Sequence, residues 1–253
     1  MWAVLVCAVA AGFFWHRWQQ TVLPFFDFFE LGSMRLFARL WHRCTSNGRC
    51  PLPDNGPAIV VANHPNHVDP CFLLANSPRV VNFLHAREYY DVFLLRRLFR
   101  KIGCIPVGRD GGDGAGLRRA LRRLQEGGIV GIFPEGDISL RQRGRPAKCG
   151  AAFLALHSRA PVFPAYIEGG PQRGNLIRDW LYPSRGARVY VGPQIDLADY
   201  RDQPMDRLLM GKVTDLFMER IAALRPSGRD KQQAKGEPRT RLQASPLPAA
   251  RAG

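Results

Sequence analysis

Acidic side chains are scarce in this sequence. It has 21 Asp and Glu against 36 Lys and Arg, for a net charge of +15 and a sequence pI of about 10.3. Such a balance argues against cationic partners and toward anionic ones: nucleic acid, an acidic membrane surface or phosphorylated substrates. None of the six cysteines (Cys7, Cys44, Cys50, Cys71, Cys104, Cys149) forms a CxxC pair. They read as reduced, mostly buried thiols of a cytosol-facing protein, with a Cys44–Cys50 bridge the one pairing left open. No Ser lies in a G-x-S-x-G elbow, so nothing marks a nucleophilic serine of that kind. The glycine-rich loop Asp110–Gly116 follows a strand and precedes a helix, but Leu117 stands where the third glycine of a dinucleotide fingerprint belongs. It reads as a flexible loop.

Charge is also missing from Trp2 to Trp15. The run is apolar, yet shorter than the roughly 20 residues that span a bilayer as a helix. Ala8-Val9-Ala10 resembles a signal-peptidase site, but no Lys or Arg precedes the run and it continues to Trp15, so a retained, partly inserted anchor fits better. Arg17, Arg35, Arg39 and Arg43 follow it and place the body on the cytoplasmic side. Met34, Phe37, Ala38 and Trp41 recur at helical spacing with Arg35, Arg39, His42 and Arg43 around them. A core helix with a solvated face would show the same pattern. The neighbouring apolar segment and the Trp residues favour an interfacial helix.

With 253 residues, 46% of them hydrophobic, the chain can bury one sizeable α/β core. Its organisation reads as a membrane-associating helical segment over 1–44, a catalytic domain over 45–224 and a disordered basic tail over 225–253. Thr45–Pro57 reads as a linker. Short apolar strands are expected at Ala58–Ala62, Val80–Leu84, Gly103–Arg109, Ile129–Phe133, Val162–Ile167 and Ala187–Val191. Helices are expected after Pro70 and over Tyr89–Lys101, Leu117–Glu126, Lys148–Ser158 and Met205–Leu224. The alternation predicts a mixed sheet of about six or seven strands flanked by helices.

The sequence around Asn63-His64-Pro65-Asn66-His67-Val68-Asp69-Pro70 organises the rest. A buried strand ends at Ala62, and Asp69-Pro70 reads as the N-cap and first position of a helix. On one continuous helix His64 and Asp69 would point about 140° apart. Only a strand-loop-helix break brings them together, as a His oriented by a carboxylate, the minimum for a general base. A capping network would use the same residues. Further along, Pro134-Glu135-Gly136-Asp137 follows the strand ending at Phe133, with Arg141, Arg143, Arg145 and Lys148 after it. A carboxylate and cations beyond a strand's C-terminal end lie where open α/β sheets bind ligands.

Four blocks stand in one order: Asn63-His64-x4-Asp69, Gly103 to Arg109, Phe133-Pro134-Glu135-Gly136 and Val162-Phe163-Pro164. The set resembles the glycerophospholipid and lysophospholipid acyltransferase family, which includes 1-acylglycerol-3-phosphate acyltransferases. The resemblance covers roughly Pro57–Asp196. It implies that His64 takes the proton of an acceptor hydroxyl and that Asp69 orients His64. It also implies that Arg109, Glu135 and Gly136 help bind glycerol phosphate, and that Pro164 lies near an acyl pocket. The co-substrate would be an acyl thioester on coenzyme A or acyl carrier protein, with no cofactor and no metal. The partners would be membrane lipids and a lysophospholipid acceptor, with no nucleic acid, and the protein would sit on the cytoplasmic face of a membrane. Two departures stand out. Asn66 takes the place of a Ser often found two residues after the motif His. Asp137-Ile138-Ser139 replaces Thr-Arg-Ser, and Arg141, Arg143, Arg145 or Lys148 would have to supply the missing phosphate ligand.

The chemistry is consistent with that set. An imidazole ordinarily titrates near pH 6.5, so its proton-accepting form is available near neutrality. A thioester is already activated and needs no enzyme nucleophile. Two other functions fit parts of the sequence. His64, His67 and Asp69 could serve a metal-dependent hydrolase, although such a site needs about three protein ligands. The charge alone suits a basic membrane- or nucleic-acid-binding protein, but no recognition motif accompanies it.

Overall fold

Strand β2 (Ala58–Ala62) is buried along its whole length, and the sheet extends outward from it on both sides. In the computed structural model, residues 32–48, 50–87, 103–108, 114–138, 146–171, 175–184 and 186–226 are described. The elements follow as β1 (Thr45–Ser46), β2, α1 (Asp69–Asn76), β3 (Val81–Ala86), β4 (Ile105–Val107), α2 (Gly114–Gln125), β5 (Ile129–Ile132), α3 (Gly150–Ser158), β6 (Val162–Glu168), α4 (Leu176–Leu181), β7 (Arg188–Val191) and α5 (Arg207–Ala223). A π-helical turn, Phe37–Trp41, precedes β1.

The seven strands are ordered β1-β7-β6-β2-β5-β3-β4. Strands β6, β2, β5, β3 and β4 are mutually parallel, β7 runs antiparallel to β6, and β1 is parallel to β7. This is the mixed sheet expected from the sequence. Because β2 is covered on both faces, it reads as a continuous apolar run. Its residues alternate between two cores. Ala58, Val60 and Ala62 face α1 and the Phe37–Trp41 turn, joined by Phe72, Leu74 and Phe83. Ile59 and Val61 face α2, α3 and α5 through Leu124, Leu154, Val213 and Phe217.

Several local details differ from expectation for identifiable reasons. Helix α2 begins at Gly114 rather than Leu117. A Cβ on Gly116 would lie 2.4 Å from Val107 Cγ1, so a glycine there lets the first turn pack on β4. It ends as expected, with Gly127 at φ +77° and the Gly128 N–H donating to Arg123 O. Thr45 and Ser46, read as the start of a linker, pair with Arg188 and Val189 as the edge strand β1. Of the face assigned to a membrane, Ala38 is fully buried and Met34 and Phe37 pack on the core. The side chains turned outward are Leu36, Leu40 and Trp41. Tertiary contact rather than the periodic pattern decides which side of this short helix is inward. Among the described residues, no helix is long and apolar enough to cross a membrane.

Residues 1–31, the helix expected at Tyr89–Lys101 and the tail beyond residue 226 lie outside the described residues. Cys44 and Cys50 are both free thiols, and burial pushes the Cys44 thiol up to about 12.

Candidate active site

Two parallel strands deliver the site. The register aligns Val61 with Ile132, so β2 and β5 end side by side. The chain leaving β2 carries His64 two residues beyond Ala62. The chain leaving β5 carries Phe133 and then Glu135. Ligands in open α/β sheets bind at this carboxyl end.

Asn63 anchors the exit from β2. Its Nδ2 donates to Ile167 O at 2.9 Å and its Oδ1 accepts the Ile167 N–H at 2.7 Å, extending the β2–β6 pairing by one side chain. His64 stacks on Phe133, with ring centroids 4.0 Å apart and planes within 12°, and Phe133 stacks on Phe83 in turn. The imidazole plane is therefore fixed by packing before any polar contact is considered.

The loop then folds back as the spacing requires. His64 Nδ1 lies 2.8 Å from Asp69 Oδ2. The same oxygen accepts the Asn66 N–H at 2.8 Å, and Asn66 Oδ1 accepts the Val68 N–H at 3.0 Å. This Asx turn does locally what a Ser at the position could also do. Asp69 is the first residue of α1 rather than its N-cap; Val68 occupies the cap, in helical conformation. The carboxylate turns back into the loop instead of capping its own helix. Asp69 is fully buried, while 16% of the His64 side chain is exposed. Burial pushes the Asp69 carboxyl up to about 6; the His64 and Asn66 hydrogen bonds oppose the rise and the Glu135 charge adds to it.

Glu135 reaches the same place from β5, its Oε1 accepting the His64 N–H at 3.4 Å. Gly136 turns at φ +73°, its N–H donating to Phe133 O at 2.9 Å. A Cβ on Gly136 would lie 2.7 Å from both Cδ and Cε of Lys148, so Lys148 lies across this turn. Four of the site residues expected from sequence, His64, Asp69, Glu135 and Gly136, therefore converge, with Lys148 against the last of them. Arg109, Arg141, Arg143 and Arg145 lie outside the described residues. Pro164 is buried within β6, opposite Val61.

His67 does not join His64. It is buried and turns the other way, its Nδ1 2.7 Å from Asp179 Oδ2 on α4. The trio His64, His67 and Asp69 is thus split into two His–carboxylate pairs. Among the described residues no group of three potential ligands is arranged to hold a metal ion.

His42 and His85 are closer to the site than sequence reasoning placed them. Burial, with the His64 and His67 imidazoles acting in the same direction, lowers His85 to about 4. Burial likewise lowers His42 to about 4, against the Asp179 charge. A signal for His85 existed: it stands near the C-terminal end of a strand parallel to β5. None existed for Asp179, 112 residues from its partner.

The chain is similar to known proteins in sequence and in fold. The Acyltransferase family model matches residues 43–168. A 1-acyl-sn-glycerol-3-phosphate acyltransferase of Bacillus subtilis is 26% identical over 174 residues, covering 68% of this chain and 83% of that one. An N-acylphosphatidylethanolamine synthase of Arabidopsis thaliana is 30% identical over 180 residues, covering 60% of this chain and 59% of its own length. In fold, the chain is similar to the crystal structure of the 1-acyl-sn-glycerophosphate acyltransferase PlsC of Thermotoga maritima. The TM-score is 0.60 at 18% identity, over 87% of this chain and 90% of that one. The domain that carries His64, Asp69, Glu135 and Lys148 belongs to the acyltransferase family.

Proposed function

We propose that the protein transfers a fatty acyl group from an acyl thioester to the free hydroxyl of a lysophospholipid, with 1-acylglycerol-3-phosphate as the favoured acceptor. One observation carries the reading: a partly exposed imidazole is stacked on Phe133 and held at Nδ1 by a fully buried carboxylate. With Asp69 holding the Nδ1 proton, Nε2 is left to take the proton of the acceptor hydroxyl. The resulting alkoxide attacks the thioester carbonyl and the carbon–sulfur bond breaks. The thiolate leaves with the proton returned by His64, so the products are an ester and a free thiol. Glu135, Gly136, Lys148 and Arg109 are the acceptor-binding residues in this reading, Lys148 supplying a cation for the phosphate. Neither a cofactor nor a metal takes part, and coenzyme A or acyl carrier protein bears the acyl chain. The protein works on the cytoplasmic face of a membrane.

The acceptor is chosen on the relative whose length the chain covers most fully, the Bacillus subtilis enzyme. The name of the Arabidopsis relative points to a different acceptor lipid. The test is an acyl-transfer assay on full-length protein with acyl-coenzyme A and acyl-acyl carrier protein as donors. Lysophosphatidic acid, glycerol 3-phosphate and phosphatidylethanolamine are supplied in parallel. Transfer to lysophosphatidic acid should exceed the others, and His64→Ala should lose on the order of 10²–10⁴-fold. Transfer unaffected by His64→Ala would sink the mechanism, and stronger transfer to phosphatidylethanolamine would reassign the acceptor.

A further inference from the structure

The Phe37–Trp41 turn and helix α4 come from opposite ends of the domain, yet they lie against each other. Phe37 and Trp180 stack with centroids 5.3 Å apart and planes within 21°. Just past α4, Ser184 donates its hydroxyl to His42 O at 2.6 Å and its N–H to His42 Nδ1 at 3.3 Å. The inward sides are committed: Ala38 and Asp179 are buried. The outward sides carry large apolar side chains. Leu36, Leu40, Trp41, Ile177, Leu181 and Tyr182 are 44–71% exposed, and they make up six of the eight exposed large hydrophobics among the described residues. Exposed apolar side chains are ordinary when scattered; concentration on two abutting helical pieces marks an interaction surface. A groove of about 390 Å³ lined by Leu40, Trp41, Arg43, Pro183 and Ser184 runs through it.

The charge of this surface is one-sided. Arg39, Arg43 and Arg178 are exposed on it. Residues 32–48 and 175–184 contain one carboxylate, Asp179, and it is buried against His67. An apolar centre with a cationic rim and no exposed acid fits a phase that offers hydrocarbon and phosphate together. The uncharged Trp2–Trp15 run of the same chain could cover the leucines, but residues 1–31 hold only two carboxylates, Asp27 and Glu30, beside Arg17, against three exposed guanidinium groups.

We propose that α4 and the Phe37–Trp41 turn form one docking surface for an anionic lipid bilayer. This deepens the acyltransferase reading and rests on it for its purpose, since the acceptor is itself a lipid. The inner side of α4 gives the surface its connection to the site. Asp179 holds His67, three residues after His64, at 2.7 Å, so the bilayer-facing helix is tied to the catalytic loop by one buried pair.

Two measurements on the full chain test the surface. First, hydrogen exchange is compared between lipid-free protein and protein bound to vesicles of equal parts phosphatidylglycerol and phosphatidylcholine. Amides of residues 176–182 should slow on the order of tenfold or more on the vesicles. Equal exchange in the two conditions overturns the proposal. So does protection already complete without lipid, which would mean that the chain's own N-terminal segment or another copy covers the patch. This readout does not need acyl transfer, so its failure is distinct from failure of the enzymatic reading. Second, Ile177→Glu/Leu181→Glu is assayed with acceptor presented in the same vesicles and with a short-chain acceptor that stays monomeric. Loss of two apolar contacts should raise KM for the vesicle-borne acceptor on the order of tenfold or more. Turnover of the monomeric acceptor should stay within about twofold, which also shows that the variant folds. An unchanged KM on vesicles overturns the proposal, and a parallel loss on both acceptors assigns α4 to the active site rather than to docking.

Discussion

Replacing Asp69 with Asn separates what the carboxylate costs from what it does. The wild-type side chain is fully buried; Oδ2 faces His64 Nδ1 and the Asn66 N–H, while Oδ1 has no hydrogen-bond partner among the described residues. Its pKa is raised from an ordinary 3.8 to about 6. A raised carboxyl pKa means that the folded state holds a proton the unfolded chain has already released. This group therefore makes the protein lose stability as pH rises from about 4 to about 6. The gap, at about 1.4 kcal/mol per pH unit, comes to about 3 kcal/mol above pH 6. In Asp69→Asn that penalty is absent, but the amide nitrogen takes the place of an orphan oxygen and leaves a buried donor unpaired, costing about 1–3 kcal/mol. The two nearly cancel at pH 8, whereas only the cost remains at pH 4. Stability of the variant relative to wild type should therefore improve by about 3 kcal/mol between pH 4 and pH 8, whatever the offset. Activity should fall on the order of 10²–10⁴-fold at every pH, because an amide neither fixes the His64 tautomer nor balances an imidazolium. Denaturant unfolding at intervals across that range reads the first quantity and thiol release reads the second. A stability difference that stays flat, or that shrinks with pH, would show that the ion pair with His64 outweighs burial, and the reasoning would fail.

Asp179→Ala leaves His67 unpartnered on that side and removes the buried anchor of α4. Stability should fall by about 3–5 kcal/mol, while the acyl-transfer rate of folded protein is largely kept; an equal loss to that of His64→Ala would make His67 part of the chemistry. In Gly170→Ala, the new Cβ would lie 2.2 Å from Asn66 Nδ2. The displaced Asn66 should unseat the Asp69 contact, costing about 1–3 kcal/mol together with activity, both measurable by thermal unfolding and assay of one preparation. A neutral Gly170→Ala would mean that the loop relaxes without moving Asp69.

What could be read from the sequence was what the chain decides locally. Ala58–Ala62 is apolar throughout because both faces of β2 are covered, and Pro65 and Pro70, one and six residues after His64, mark the strand-loop-helix break that lets His64 meet Asp69. Those contacts span five residues, and composition states them. Helix α4 is the opposite case. Six residues are too few to be helical on their own, and Leu176–Leu181 shows no period long enough to announce itself. It exists because Asn175 caps it, accepting from the N–H groups of Ile177 and Arg178, and because Trp180 stacks on Phe37 and Asp179 pairs with His67. Two of those contacts reach back across more than a hundred residues. The same cause explains the misplaced face of the Phe37–Trp41 turn. Spacing shows that a helix has an apolar side, but Ala38 and Phe37 point inward only because Trp180 and Phe72 lie there to receive them. The His64–Asp69 pair is a local feature, and its surroundings are tertiary. That is why sequence alone brought His64 and Asp69 together, and why it missed the buried carboxylate that ties the loop to the surface helix.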